Sequence, residues 1–362
     1  MIINVVGARP NFMKMAPVIK ALNKLDLPNI VVHTGQHYNS FMSKDILKDL
    51  KISEPDYFLN IRGGSHATQT AKIMIEFEKI CMNINPKIVV VAGDVNSTLA
   101  CAIVASKLNI PLAHVESGLR SFDKTMPEEI NRILTDHISR FLFTTEESAN
   151  LNLMREGINK KSIHFVGNCM IDSLKTFLPS ALKSKPWEKF GLKGEDYALA
   201  TIHRPSNVDN EESLQKIVEV INNMSKKLKI VFPLHPRTKN NIDLYDMKFS
   251  RNVICTKPLA YIDFLGLMAK SFIVVTDSGG IQEETTILKI PCLTLRDNTE
   301  RPVTVDIGTN IITGTDSEEI LKIFDHVINK KTNLNKIRTP VLWDGNSGMR
   351  IAKKIKSIYY DN

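Results

Sequence analysis

The chain has 362 residues, 24% of them charged and 43% hydrophobic, with a formal net charge of +8. That length exceeds what one core ordinarily spans, so two domains are expected, and the composition excludes a disordered or fibrous chain. No apolar run reaches the roughly 20 residues of a membrane span, MIINVVGARP has no signal-peptide pattern, and no Lys/Arg stretch carries the interleaved aromatics of a nucleic-acid surface; a cytoplasmic protein with a small acidic ligand is expected, and no nucleic-acid or membrane partner.

Along the chain, short Val/Ile-rich runs alternate with amphipathic segments of helical length, the pattern of parallel strands covered on both faces by crossover helices. In the first half the runs are 2–6, 30–34, 88–93, 111–115, 140–145 and 163–167; in the second they are 197–202, 229–234, 252–256, 272–276 and 291–295. The pattern occurs twice, and the Pro-, Gly- and Lys-containing stretch 178–196 between the sets reads as an interdomain linker with a short helix. Residues 347–360 read as a terminal amphipathic helix. Five dispersed cysteines in mostly apolar contexts fit reduced core thiols better than a disulfide framework or zinc site.

Ligands of open parallel sheets bind beyond the carboxyl ends of the strands. Here those ends carry GARPN, TGQHY, AGDVNST, ESGLRS, HRPSN, LHPRT, DSGGIQEE and RDNTER, so polar chemistry gathers at one edge of each predicted sheet, and two such edges facing across a cleft make a small-molecule site. In GARPNFMK, Arg9 supplies a planar fork for phosphate or carboxylate and Lys14 a compact charge, although Pro10 also fits a plain helix start. Asp94 fits either a helix cap or a base. Glu116 and Glu128 crowd it, and three neighbouring carboxylates are expected to retain a shared proton. Glu129 reads as part of a solvated or capped helix start.

His203 and His235 stand directly at strand ends and fit either structural residues or donors to a diphosphate, with Arg204 beside the first. DSGGIQEE, with Ser278, Gly279 and Gly280 before a helix, fits a phosphate site as well as a plain glycine turn, and Glu284, read as a first-turn residue, suits ribose hydroxyls. His33 and His37 straddle a glycine without a third ligand, so a metal site is not expected. There is no GxxxxGK[ST], no GxGxxG after a strand, no Tyr with Lys four residues on and no DxD, which argues against P-loop, NAD-dependent and metal-clamped nucleotide-sugar chemistry.

In this order and spacing, GARPNFMKMAP, GQHY, GDVNSTLA, HVESGLRS, PEEINR, HRPSN, DSGGIQEE and RDNTERP resemble the non-hydrolysing UDP-N-acetylglucosamine 2-epimerases over residues 1 to about 350. The resemblance implies an α/β fold of two Rossmann-like domains of the glycosyltransferase-B type: 1–170, with 346–362 returning to it as a helix, and a UDP-binding 171–345. It also implies a homodimer without cofactor or metal. The reaction implied is C2 epimerisation of UDP-GlcNAc to UDP-ManNAc through UDP elimination and a 2-acetamidoglucal. The residues that match are Asp94, Glu116 and Glu128 as catalytic acids and bases, with His203 assisting the diphosphate. Arg9, Lys14, Ser278, Gly279 and Gly280 match diphosphate contacts, Glu284 the ribose contact, and Arg120 and His235 are candidates for positioning substrate. Ala8, Asn11, Pro205, Ser206, Asn298 and Val303 depart from the motifs of many relatives, which bears on the sugar. Gln36 and His37 match an effector site of some members, where His66 replaces an arginine. The alternatives are epimerisation of a UDP-diacetamido-hexuronate, a glycosyltransferase of the same architecture, and a silent nucleotide-sugar sensor.

Overall fold

The computed structural model describes residues 1–35, 54–330 and 337–361, apart from the side chains of Arg9, Lys330 and Asp361. The chain forms two compact units, Met1–Ser173 with Val341–Asn362, and Leu174–Pro340.

The first unit begins with β1 (Ile2–Val6), α1 (Arg9–Lys24), β2 (Asn29–His33), β3 (Tyr57–Phe58), α2 (His66–Ile84) and β4 (Ile88–Ala92). It continues with α3 (Asn96–Lys107), β5 (Leu112–Ser117), α4 (Pro127–Ile138), β6 (Phe141–Thr144), α5 (Glu147–Arg155) and β7 (Ile163–Phe165). Its strands are parallel, in the order β3-β2-β1-β4-β5-β6-β7. Central strands β1 and β4 are buried at every residue, as helices on both faces require.

α6 (Cys169–Ser184) crosses from one unit to the other. The second unit then carries α7 (Pro186–Lys189), β8 (Tyr197–Thr201), α8 (Pro205–Val208), α9 (Glu211–Met224), β9 (Lys229–Pro233), α10 (Pro236–Leu244) and β10 (Val253–Thr256). α11 (Tyr261–Lys270), β11 (Ile273–Thr276), α12 (Gly279–Leu288), β12 (Cys292–Thr294), α13 (Val303–Asp306), β13 (Asn310–Ile312) and α14 (Ser317–Lys330) follow. These strands are also parallel, in the order β10-β9-β8-β11-β12-β13. The stretch expected to be mainly linker is helical up to Ser184 and again over α7; Pro179 lies inside α6, where its ring interrupts the periodicity without ending the helix.

The terminal helix α15 (Ser347–Asp361) belongs to the first unit. Asp172, near the start of α6, accepts from the backbone N–H groups of Ser347 (3.1 Å) and Gly348 (2.8 Å), satisfying two donors at its N-terminus. Just upstream, buried Trp343 donates its indole N–H to the Thr145 carbonyl at 2.8 Å. Among the described residues no helix is long and apolar enough to cross a membrane, and the four buried cysteines and exposed Cys255 are all unpaired thiols.

In each sheet the strand order reverses once, between β1 and β4 and between β8 and β11. Loops leaving such a pair diverge to opposite faces and leave a crevice at the strand ends. Lys14 and Asp94 follow the strands of the first reversal, and His203 and Ser278 those of the second.

Candidate active site

In the first unit the site is built on β4, β5 and α4. Glu116 is the penultimate residue of β5, where the ladder with β6 shifts register between Val115 and Ser117. Its backbone sits at φ 68°, a left-handed conformation that costs a non-glycine residue about 1–3 kcal/mol and marks functional positions. The residue is only 5% exposed, and Oε1 accepts from the Lys14 ammonium at 2.6 Å. Lys14 also lies over Gly93: a Cβ there would come within 2.9 Å of its Nζ, and φ at Gly93 is +69°, a backbone conformation that favours glycine.

Asp94 follows Gly93 directly. Its side chain retains 22% exposure, and Oδ2 accepts from Arg132 Nε at 3.0 Å and pairs with the same guanidinium at 2.9 Å. Asn131 donates to the Asp94 carbonyl at 2.8 Å. Two of the three acids are thus paired with cations, Glu116 with Lys14 and Asp94 with Arg132. Glu128 is exposed on the first turn of α4.

Two residues sit differently from the sequence reading. Glu129, read as solvated or capping, is buried and accepts from the backbone N–H groups of Ser121 (3.0 Å) and Phe122 (2.9 Å) while pairing with Arg132; it holds the loop before α4 in shape. Arg120, read as a substrate contact, is 2% exposed and turned inward. Its Nε and Nη2 donate to Glu156 at 2.8 and 2.7 Å, and Nη1 meets Asp136 Oδ2 at 2.7 Å. Burial opposes its charge, but these carboxylates more than offset that, and a guanidinium so engaged braces the loop instead of reaching a ligand.

Arg9 opens α1, and its side chain lies outside the described residues, as do Gln36 and His37. His66 exchanges a hydrogen bond with Asn96 at the start of α3. Asn11, one of the departures from the motif, is an internal cap: Oδ1 accepts from Ala8 N at 3.0 Å and Nδ2 donates to the Ala92 carbonyl at 2.7 Å.

The second unit gathers His203, His235 and the glycine turn. Fully buried Asp277, which sequence reasoning passed over, organises them by accepting from the backbone N–H groups of His203 (3.0 Å) and Arg204 (2.8 Å) and from Asn207 Nδ2 (3.0 Å). His203 Nδ1 lies 3.3 Å from Asp277 Oδ1, and its ring centroid is 5.4 Å from that of exposed His235. His235 caps α10, with Nδ1 accepting from Arg237 N at 3.2 Å. Ser278 is the N-cap of α12 and Gly279 and Gly280 are its first residues, so the free N–H groups and positive dipole end of a ten-residue helix open there.

A Cβ at Gly279 would lie 2.5 Å from Arg301 Nη1. That guanidinium is anchored on Glu283 at 2.6 Å, and Glu300 beside it pairs with Arg296 at 2.7 Å and Arg204 at 3.3 Å. Glu284 lies on the second turn of α12, not the first, because the helix begins at Gly279; it is buried and accepts from the Tyr261 hydroxyl at 2.7 Å. Asp277 was legible as the acid preceding Ser278, whereas Arg132 and Tyr261 carry no local signal. Among the described residues no cluster of three or more His, Cys, Asp or Glu could hold a metal ion.

One sheet reversal thus carries acids paired with cations, and the other an anion-ready helix start. Residues 20–356 match the family model described as UDP-N-acetylglucosamine 2-epimerase. The chain belongs to the UDP-N-acetylglucosamine 2-epimerase family. It is 45% identical to the UDP-N-acetylglucosamine 2-epimerase of Methanocaldococcus jannaschii, over 96% of this chain and 97% of that protein. The crystal structure of the M. jannaschii UDP-GlcNAc 2-epimerase in complex with UDP-GlcNAc and UDP superposes with a TM-score of 0.92 at 44% identity, covering 99% of this chain and 100% of that one. The UDP-2,3-diacetamido-2,3-dideoxy-D-glucuronate 2-epimerase of Pseudomonas aeruginosa is 41% identical over 89% of this chain and 90% of its own length. Like its epimerase neighbours, this member of the family has two parallel α/β sheets of the glycosyltransferase-B type.

Proposed function

We propose that the protein interconverts UDP-N-acetylglucosamine and UDP-N-acetylmannosamine by eliminating UDP and adding it back. The C2 hydrogen of a hexosamine is not adjacent to a carbonyl, so enolisation is unavailable. Instead a base removes the C2 proton, the electron pair forms C1=C2, and the C1–O bond breaks with its electrons leaving on UDP. Re-addition forms C1–O again while an acid delivers a proton to the opposite face of C2 in the 2-acetamidoglucal. Asp94, Glu116 and Glu128 supply the base and acid. Lys14, His203, Ser278, Gly279 and Gly280 take the diphosphate, with Arg9 among its ligands, and Glu284 takes the ribose. His235 positions the substrate, and Arg120 acts indirectly by bracing the loop after Glu116.

The observation that carries this reading is the buried Glu116 carboxylate, held in a left-handed conformation against Lys14 beside the Asp94 loop. A glycosyltransferase has no use for a strained acid serving C2. The 41% identity to the P. aeruginosa diacetamido-glucuronate enzyme supports one second reading, the same chemistry on that sugar. In either case the protein works in the cytoplasm, as a homodimer, supplying a sugar for a surface polysaccharide. Exposed Ile130 and Leu134, one turn apart on α4, and Ile75 on α2 offer apolar surface to a second copy.

The test is incubation with UDP-GlcNAc in heavy water, following C2 by NMR. Deuterium at C2 with the manno isomer appearing is the expected result. Unchanged UDP-GlcNAc alongside exchange of the UDP-diacetamido-glucuronate selects the second reading, and no exchange in either sugar overturns both.

A further inference from the structure

His114 has no place in the reaction above, yet it is fully buried at the heart of the first unit's site. Its Nδ1 lies 2.7 Å from Asp136 Oδ1 and its Nε2 lies 2.8 Å from the carbonyl oxygen of Gly93. A carbonyl oxygen only accepts, so Nε2 is the donor to Gly93. Burial works against the charge of Asp136, but His114 and Arg120 outweigh it and hold the carboxyl below its usual range. The other oxygen of Asp136 accepts from Gly118 N at 3.0 Å and meets Arg120 Nη1 at 2.7 Å.

One buried carboxylate on α4 thus grips the chain on both sides of Glu116, at His114 in β5 and at Gly118 just past its end. Through the imidazole the same grip extends to the peptide immediately preceding Asp94. We propose that His114 is a positioning residue for the epimerisation, fixing the Asp94 backbone relative to Glu116 through its bond to the Gly93 carbonyl, with Asp136 as its anchor. The inference rests on the reading of Asp94 and Glu116 as the proton-transfer groups. Displacing a catalytic group by about 1 Å costs on the order of 100-fold in rate, and Gly93, at φ +69°, has no side chain of its own to hold the loop.

Two substitutions separate the bonds. In His114→Gln the side-chain amide stands where Nε2 did and still donates to Gly93. In His114→Asn the amide stands where Nδ1 did, keeping Asp136 and losing Gly93. We expect His114→Asn to lower kcat about 100-fold with the dissociation constant for UDP unchanged within about twofold, and His114→Gln to recover most of that loss. Equal kcat values in both variants and the parent, or a fall in UDP affinity that accounts for the lost rate, overturn the proposal.

Should His114→Asn not fold, Asp136→Asn serves. Its amide can donate to Nδ1 while its oxygen keeps Gly118 and Arg120, so the Gly93 bond survives and kcat is expected within about tenfold of the parent, whereas Asp136→Ala falls further. In the parent protein, nitrogen-resolved NMR should show a slowly exchanging Nε2–H signal for His114, and its absence overturns the geometry. A parent that binds UDP yet exchanges no C2 hydrogen overturns the functional reading, and this role with it, while leaving the Nε2–H signal in place.

Discussion

At the residue scale the informative side chains are those whose backbone or burial is unfavourable without a use. Glu116 combines a left-handed φ of 68°, near-complete burial and a 2.6 Å contact to Lys14. An acid whose only duty was to hold Lys14 would not need the strained backbone. Glu116→Gln keeps the shape and a hydrogen-bond acceptor but removes the transferable charge. It should lower kcat by about 10²–10⁴-fold with UDP affinity nearly unchanged, measured by steady-state kinetics and calorimetry; a variant with normal kcat and weakened UDP binding would reassign Glu116 to the diphosphate. Neighbouring residues show how type alone misleads. Glu128 and Glu129 are adjacent in sequence, yet one is exposed and the other is buried, folding a loop around its oxygens. The direction of a helix face decided between them.

At the element scale the strands were legible wherever a run of Val and Ile was long enough to be buried on both faces. β3 and β13 were missed because Tyr57–Phe58 and Asn310–Ile312 are short edge strands with mixed burial, recognised by their pairing partners and not by composition. The first turn of α12 was placed one turn late relative to Glu284 because its start is set by a glycine pair with no capping side chain. The docking of α15 depends on Asp172, a residue of no evident pattern in the sequence. Asp172→Ala removes the acceptor of two buried N–H groups and should cost about 1–3 kcal/mol, seen as a lower melting temperature, with the loss confined to the first unit in hydrogen exchange. Uniform loss of protection across both units would show that the cap does not act locally.

At the scale of the whole molecule, stability should fall in mild acid through groups the fold keeps from taking protons. Burial lowers the pKa of His33 to about 4, a cost only partly offset by its own backbone hydrogen bonding. The ring stacks on Phe58 at 4.6 Å, and its Nδ1 accepts from Gly35 N at 2.9 Å, which needs the neutral form. The unfolded chain takes up this proton near the ordinary value of about 6.5, the native state only near 4. Stability from His33 is therefore fully present above about 6.5 and is lost as pH falls towards 4, by roughly 3 kcal/mol. Asp136, with its native pKa lowered, contributes stability present above the ordinary carboxylate range and lost as pH falls through its native value, so it acts in the same direction at lower pH. Urea midpoints measured from pH 7.5 to 4 should drop in the parent and flatten in His33→Gln; parallel curves would exclude His33 as the source.

The sequence by itself determined the doubled parallel α/β pattern, the family, and the polar strand ends, because each depends on local periodicity and on residues within a few positions of one another. Tertiary structure alone decided which acids meet which cations, that Arg120 turns inward, and that Asp277 and Asp136 organise residues far along the chain. The physical reason is that an ion pair or a buried hydrogen bond is a relation between distant segments, and its partner is chosen by the folded backbone, through strand order and helix facing, before any side-chain chemistry acts.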